Sequence, residues 1–245
     1  MQTALELAPI AGIFLLAGAV KGAIGFGLPT IAMGLLSLFM PPAHAAAALV
    51  VPALVTNVWQ LAAGRSFRPL VRRLGLMLAF VCVGVWVGFA VLPADQTQVA
   101  RVSLGAALAV YACVGLSRIE FVVPRGAEPA LSVLVGFTTG FITAATGVFV
   151  IPAVPYLQAL RLSKDDLVQA LGLSFTVSTV ALGAGLAGEG VLTRALGWQA
   201  LWGVIAAMAG MACGQWIRSR IDADTFRKAF FSSLLILGVW LALTA

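Results

Sequence analysis

Two stretches of the chain, 22–64 and 129–160, contain no Asp, Glu, Lys or Arg. Each is too long for one simple membrane span, because a helix crosses the hydrocarbon core with about 20 apolar residues. Each must therefore hold more than one membrane segment or a broken one. Shorter charge-free runs follow at 74–94, 102–117, 167–188, 195–217 and 229–245, and each is about one helix long. The pattern predicts an all-α polytopic membrane protein of about 8–10 membrane segments with short loops. Both long stretches are also rich in Gly, Pro and Thr. Non-helical backbone survives at membrane depth only where protein buries it or where it lines a water-filled cavity. Two such interruptions in corresponding halves point to a transporter's binding site.

Composition agrees with the pattern and removes several functions. The 245 residues are 61% hydrophobic and only 10% charged, with a mean hydropathy of +1.05, far outside the soluble range. A net charge of +6 does not signal nucleic acid here, because Lys and Arg sit singly or in small groups between apolar runs, as topology charges do. Cys82, Cys113 and Cys213 lie in three different apolar segments without C-x-x-C spacing, and read as small packing residues, not metal ligands or disulfide partners. No carboxylate lies inside an apolar run and there is no G-x-x-x-x-G-K-[ST]. Carboxylate proton relays and P-loop ATPases are thereby disfavoured. A single histidine without a membrane carboxylate leaves a hydrolase without base and orienter. No enzyme, catalytic residue, metal or cofactor is expected. Residues 1–21 lack a basic signal-peptide start and carry Glu6, so they read as a retained first segment.

A shift of 118 aligns Gly18-Ala-Val-Lys-Gly22-Ala-Ile24 with Gly136-Phe-Thr-Thr-Gly140-Phe-Ile142, and Ala94-Asp95 is echoed by Ala223-Asp224. These matches divide the chain into a first transmembrane repeat at 1–118, a cytoplasmic linker at 119–130 and a second repeat at 131–245. With four crossings per half, the loop charges would split evenly between the two sides, against the positive-inside rule. With an even number of crossings in 7–40 and in 131–160, the second half inverts. One side then carries Arg65, Arg68, Arg72, Arg73, Arg118, Arg125, Arg161, Lys164, Arg218, Arg220, Arg227 and Lys228, against only Arg101 and Arg194 on the other. That is the signature of inverted repeats, each a Gly/Pro-broken helix pair followed by three transmembrane helices. Each broken pair is expected as a hairpin of two short spanning helices, and both termini as non-cytoplasmic.

The broken stretches hold the candidate site. A helix through Gly22, Gly25, Gly27 and Pro29 is improbable, since each interior Gly costs about 1 kcal/mol and an interior Pro about 3. A break near Gly25 exposes backbone N–H groups, and a helix starting near Pro29 turns its positive end into the gap, which suits an anion. In the second half Thr143 and Thr146, three positions apart before Gly147, share a helix face and offer hydroxyl donors. The plainer reading is close packing through Gly18-x-x-x-Gly22 and Gly136-x-x-x-Gly140. Lys21 is the one cation in the first broken stretch, and either snorkels to the cytoplasmic surface or lies beside the anion path. Asn57, with Thr56 beside it, either bonds another helix or lines the path. Ser174, Thr176, Ser178 and Thr179 crowd one segment, where bonds to their own helix carbonyls would account for them. His44 reads as interfacial.

Gly22-Ala-Ile-Gly25-Phe-Gly27-Leu-Pro29, Gly140-Phe-Ile-Thr143-Ala-Ala-Thr146-Gly147 running to Pro152, and Ala170-Leu-Gly172-Leu-Ser174 resemble the duplicated motifs of the TauE/SafE family of sulfite and organosulfonate exporters. Thr143, Ala144 and Ala145 stand where that family commonly has Gly, and Pro52 stands near its first-half Ser. The resemblance implies outward transport of a small sulfur-containing or other organic anion across a bacterial inner membrane. The residues themselves reach only a small anion at two helix breaks, touching Lys21, Gly22, Gly25, Gly27, Asn57, Thr143, Thr146, Gly147 and Ser174. The expected partners are that anion and the lipid bilayer, with no nucleic acid and a homo-oligomer left open. A non-transporting membrane subunit that assembles with a partner protein is the alternative.

Overall fold

The computed structural model describes residues 4–92, 97–117, 122–192, 196–218, 220 and 222–244. They form α1 (Ala4–Ile24), α2 (Leu28–Leu36), α3 (Pro42–Ala62), α4 (Phe67–Val91), α5 (Thr97–Leu116), α6 (Glu128–Thr146), α7 (Ala153–Ala159), α8 (Lys164–Gly188), α9 (Leu196–Arg218) and α10 (Ala223–Leu243). No strand occurs among the described residues. Among the described residues seven helices are long and apolar enough to cross a membrane, and α1 adds a shorter apolar stretch, Ala8–Ile24. Their starts are marked in the sequence: Pro42 opens α3, the Ser163 side chain accepts from Asp166 N–H at the start of α8, and Asp222 accepts from Thr225 N–H at the start of α10.

The broken stretches do not form hairpins of two equal spans. α1 runs for 21 residues and α6 for 19, whereas α2 has nine and α7 seven. At 1.5 Å per residue α2 and α7 are only about 13 and 10 Å long, less than half the hydrocarbon thickness. The breaks fall at Gly25, Gly27 and Gly147, which adopt positive φ values of 86°, 105° and 69°. Each broken pair is thus a long helix followed by a half-length one that turns back.

Packing joins elements far apart in sequence. α1 lies against α9, α4 against α6, α3 against α8 and α5 against α10. α1 and α9 run parallel, since a methyl on Gly18 would strike the Ala207 carbonyl and one on Gly22 the Met211 carbonyl. Gly210 and Gly214 abut Leu15 and Ala19 reciprocally. α4 and α6 are also parallel, with Gly136 on Met77 and Gly140 on Val81. α3 and α8 are antiparallel, with Gly172 at Leu61 and Gly183 at Val50, and so are α5 and α10, with Gly105 at Ala242 and Gly115 at Phe231. Small residues let these backbones approach closely, which supplies the dispersion contact that lipid does not drive.

Charge collects at one end of the bundle. Arg73 and Glu128 form a salt bridge between the starts of α4 and α6, Arg227 donates to the Gly115 carbonyl at the end of α5, and Gln169 bonds Leu61 and Ser66. These contacts bring Arg65, Arg68, Arg72, Arg125, Arg161, Lys164, Arg218, Arg220 and Lys228 to the same face, while Arg101 lies near the start of α5 on the opposite one. Arg118, Arg194, Asp95 and the chain termini lie outside the described residues. Cys82, Cys113 and Cys213 are exposed on the outside of the bundle and do not fill its interior as their small size suggested. His44 is exposed at the start of α3, as an interfacial residue would be.

Candidate functional site

Lys21 does not snorkel. It is 3% exposed, and its Nζ donates to Thr56 Oγ1 at 3.1 Å and to Asn57 Oδ1. The last turns of α1 and α3 place it there. Both helices end on the basic face, and Gln60 Nε2 one turn further along α3 donates to the Gly25 carbonyl at 2.9 Å. Thr56 spends its own hydroxyl hydrogen on the Pro52 and Ala53 carbonyls of its helix, which leaves an oxygen lone pair for the lysine. Asn57 in turn donates from Nδ2 to Thr179 Oγ1 at 3.1 Å, and Thr179 donates to the Phe175 carbonyl at 2.6 Å. A polar thread therefore crosses from α1 through α3 to α8 in the bundle interior. Every acceptor on it is neutral, and the described residues give Lys21 no salt-bridge partner.

The other expected residues are placed differently. Gly25 and Gly27 make the first break, where Gly27 caps α2 in the left-handed conformation and Pro29 lies in its first turn. Gly22 is used for contact with α9. Thr143 and Thr146 return their hydroxyl hydrogens to the Thr139 and Ile142 carbonyls at 2.7 Å each. Thr146 Oγ1 also accepts from Val148 N–H at 3.2 Å, tying the second break at Gly147. The α3 residues that meet the two breaks, Gln60 and Ala46, are about 21 Å apart along the helix. The breaks therefore do not face one another across a single point. Ser174 is buried with an unpartnered hydroxyl, about 140° around α8 from Thr179 at 3.6 residues per turn.

Each break opens on a cavity at its own end of the bundle. On the basic face, a cavity of about 270 Å³ is lined by Ala23, Ile24, Phe26, Gln158, Arg218 and Arg227. Phe26, in the break itself, packs edge-on against Tyr111 and Phe230. On the opposite face a cavity of about 100 Å³ reaches Thr146 and Gly147 between the start of α3 and the ends of α4 and α8, with Glu189 on its wall. The polar thread lies between the two.

Gln60 and Thr139 escaped the reading of the sequence. Gln60 had a signal, being a polar residue three positions after Asn57 in a charge-free run. Thr139, buried with an unpartnered hydroxyl, stands where the 118-residue shift aligns it with Lys21.

Among the described residues, eight apolar helices, two half-length helices and a buried polar thread between two end cavities define a multi-pass membrane protein. The family described as sulfite exporter TauE/SafE matches residues 10–241, and the chain belongs to that family. Searches of curated proteins and of solved structures find no match.

Proposed function

We propose that this protein is a secondary transporter that exports a small sulfur-containing anion, such as sulfite or an organosulfonate, across the bacterial inner membrane. The observation that carries this reading is the buried Lys21 with only neutral acceptors around it. A charge within the membrane is costly and marks a function when no partner neutralises it, and a bound anion would supply the missing countercharge. On this reading the anion leaves the basic-face cavity past Phe26 and the first break, rests beside Lys21, Thr56 and Asn57, and passes to Thr146 and Gly147. Thr143 and Ser174 form the second-half wall that it meets as the protein changes state.

The two halves act as inverted repeats with the basic face in the cytoplasm. The opposite directions of α3 and α8 and of α5 and α10, the paired contacts of α1 with α9 and α6 with α4, and the one-sided charge support that arrangement. Cysteines placed near Arg68, Gly126 and Arg220 should then be labelled only from the cytoplasm, and cysteines at both termini only from outside. Termini on opposite sides would rule the arrangement out.

Purified protein in liposomes, assayed for flux of sulfite, sulfoacetate, taurine and thiosulfate, tests the function. Saturable flux of at least one sulfur anion above empty liposomes is expected, and none for any of them would overturn it. Thr146→Val removes both the hydroxyl at the outer cavity and the acceptor for Val148 N–H. Its apparent affinity should fall by the equivalent of about 1–3 kcal/mol, read as a raised KM.

A further inference from the structure

We propose that Lys21 takes up a proton as the anion binds beside it, so that one proton crosses with each singly charged anion. This rests on the anion site proposed above and adds the coupling ion to it. An ammonium has three N–H donors and a neutral amine two with one lone pair. The structure gives Lys21 two acceptors, Thr56 Oγ1 and Asn57 Oδ1. That set takes up both donors of the neutral amine and leaves the ammonium one donor short.

The surroundings point the same way. On α3 the residues near Lys21 are Thr56, Asn57 and Gln60, all uncharged. On α9 the backbone beside Gly22 belongs to Met211 and Gln215, and α2 contains no titratable residue. The charged residue of α9, Arg218, stands in the basic-face cavity with Arg227 of α10, both of the lysine's own sign. His44 and Cys213 are exposed. Among the described residues no carboxylate pairs with Lys21, and an ion removed from water without a partner is costly. The empty site therefore favours the amine, and the anion-filled site the ammonium.

The step balances without a co-reactant. The amine lone pair takes a hydrated proton from the solution on the side from which the anion enters, giving an ammonium–anion pair with no net charge. On release to the other side, both proton and anion depart and the amine is restored. Lys21 is only 3% exposed in the empty site, so its proton enters and leaves with the anion and the water that accompanies it, and the two move together.

The test is calorimetric titration of the full-length protein with methanesulfonate, which stays ionised across the working range, in two buffers of different ionisation enthalpy. Above neutral pH, uptake approaching one proton per bound anion is expected, with affinity falling about tenfold per pH unit at the alkaline end. Lys21→Arg, whose guanidinium stays charged, should bind more weakly and take up none. In liposomes a methanesulfonate gradient should carry protons in the same direction, read by a trapped pH indicator. Methanesulfonate binding to the wild-type protein without proton uptake overturns the coupling and leaves the anion site standing. Absence of binding by methanesulfonate, sulfite and thiosulfate alike overturns both.

Discussion

Replacing Lys21 by Met is expected to lower sulfur-anion flux at least a hundredfold while the protein stays folded. Met has a similar length and fills the same space without charge. The loss to the fold is the pair of bonds to Thr56 and Asn57, about 1–3 kcal/mol for acceptors left unpaired in the interior. That loss is offset because a buried amine no longer has to be accommodated. The loss to function is larger, since the anion would enter a membrane interior with no opposite charge, and a hundredfold corresponds to roughly 2.7 kcal/mol. Liposome flux and detergent melting measured on the same preparation separate the two. Full flux in the Met variant would remove Lys21 from the site.

Gly140→Val is expected to abolish recovery of folded protein, whereas Gly75→Val should leave it unchanged. A first methyl on Gly140 would collide with the Val81 carbonyl oxygen and the Val85 nitrogen of α4, while Gly75 has no atom within 4 Å of the same position. Overpacking a core costs typically about 1–3 kcal/mol when side chains yield. Here the obstacle is backbone, so two helices must separate along their length and the cost exceeds that range. Size-exclusion profiles and melting temperatures of the two variants decide it. Equal behaviour would mean that α4 and α6 do not pack as described.

The helices were legible because charge-free runs of about 20 residues have one stable solution in lipid. The breaks were legible too, since Gly25, Gly27 and Gly147 occupy positions that other residues adopt only with strain. The lengths after the breaks were not: nothing in the apolar run 147–160 distinguishes a span of about 15 residues from a stretch of non-helical chain followed by the seven residues of α7. Gly18 and Gly22 announced a close contact, but only three dimensions reveal that Gly210 and Gly214 are its other side. For the candidate site, Lys21 and Asn57 could be named separately, yet Lys21 bonds Thr56 and Asn57 across 35 and 36 residues of chain, on a different helix. Thr143 and Thr146 looked like free donors because sequence cannot show that each hydroxyl is turned onto its own helix.

The pairing of α1 with α9 also sets an order of events during synthesis. Gly18 meets Ala207, and at about 5–20 residues per second a ribosome needs roughly ten to forty seconds to travel between them. Throughout that interval the first helix sits in the bilayer with its glycine face bare and its lysine without the finished enclosure. Cellular quality control thus meets an early segment that is its own weakest point. Chains truncated before α9 should be cleared quickly by membrane proteases, and lysine burial should be among the last events of maturation.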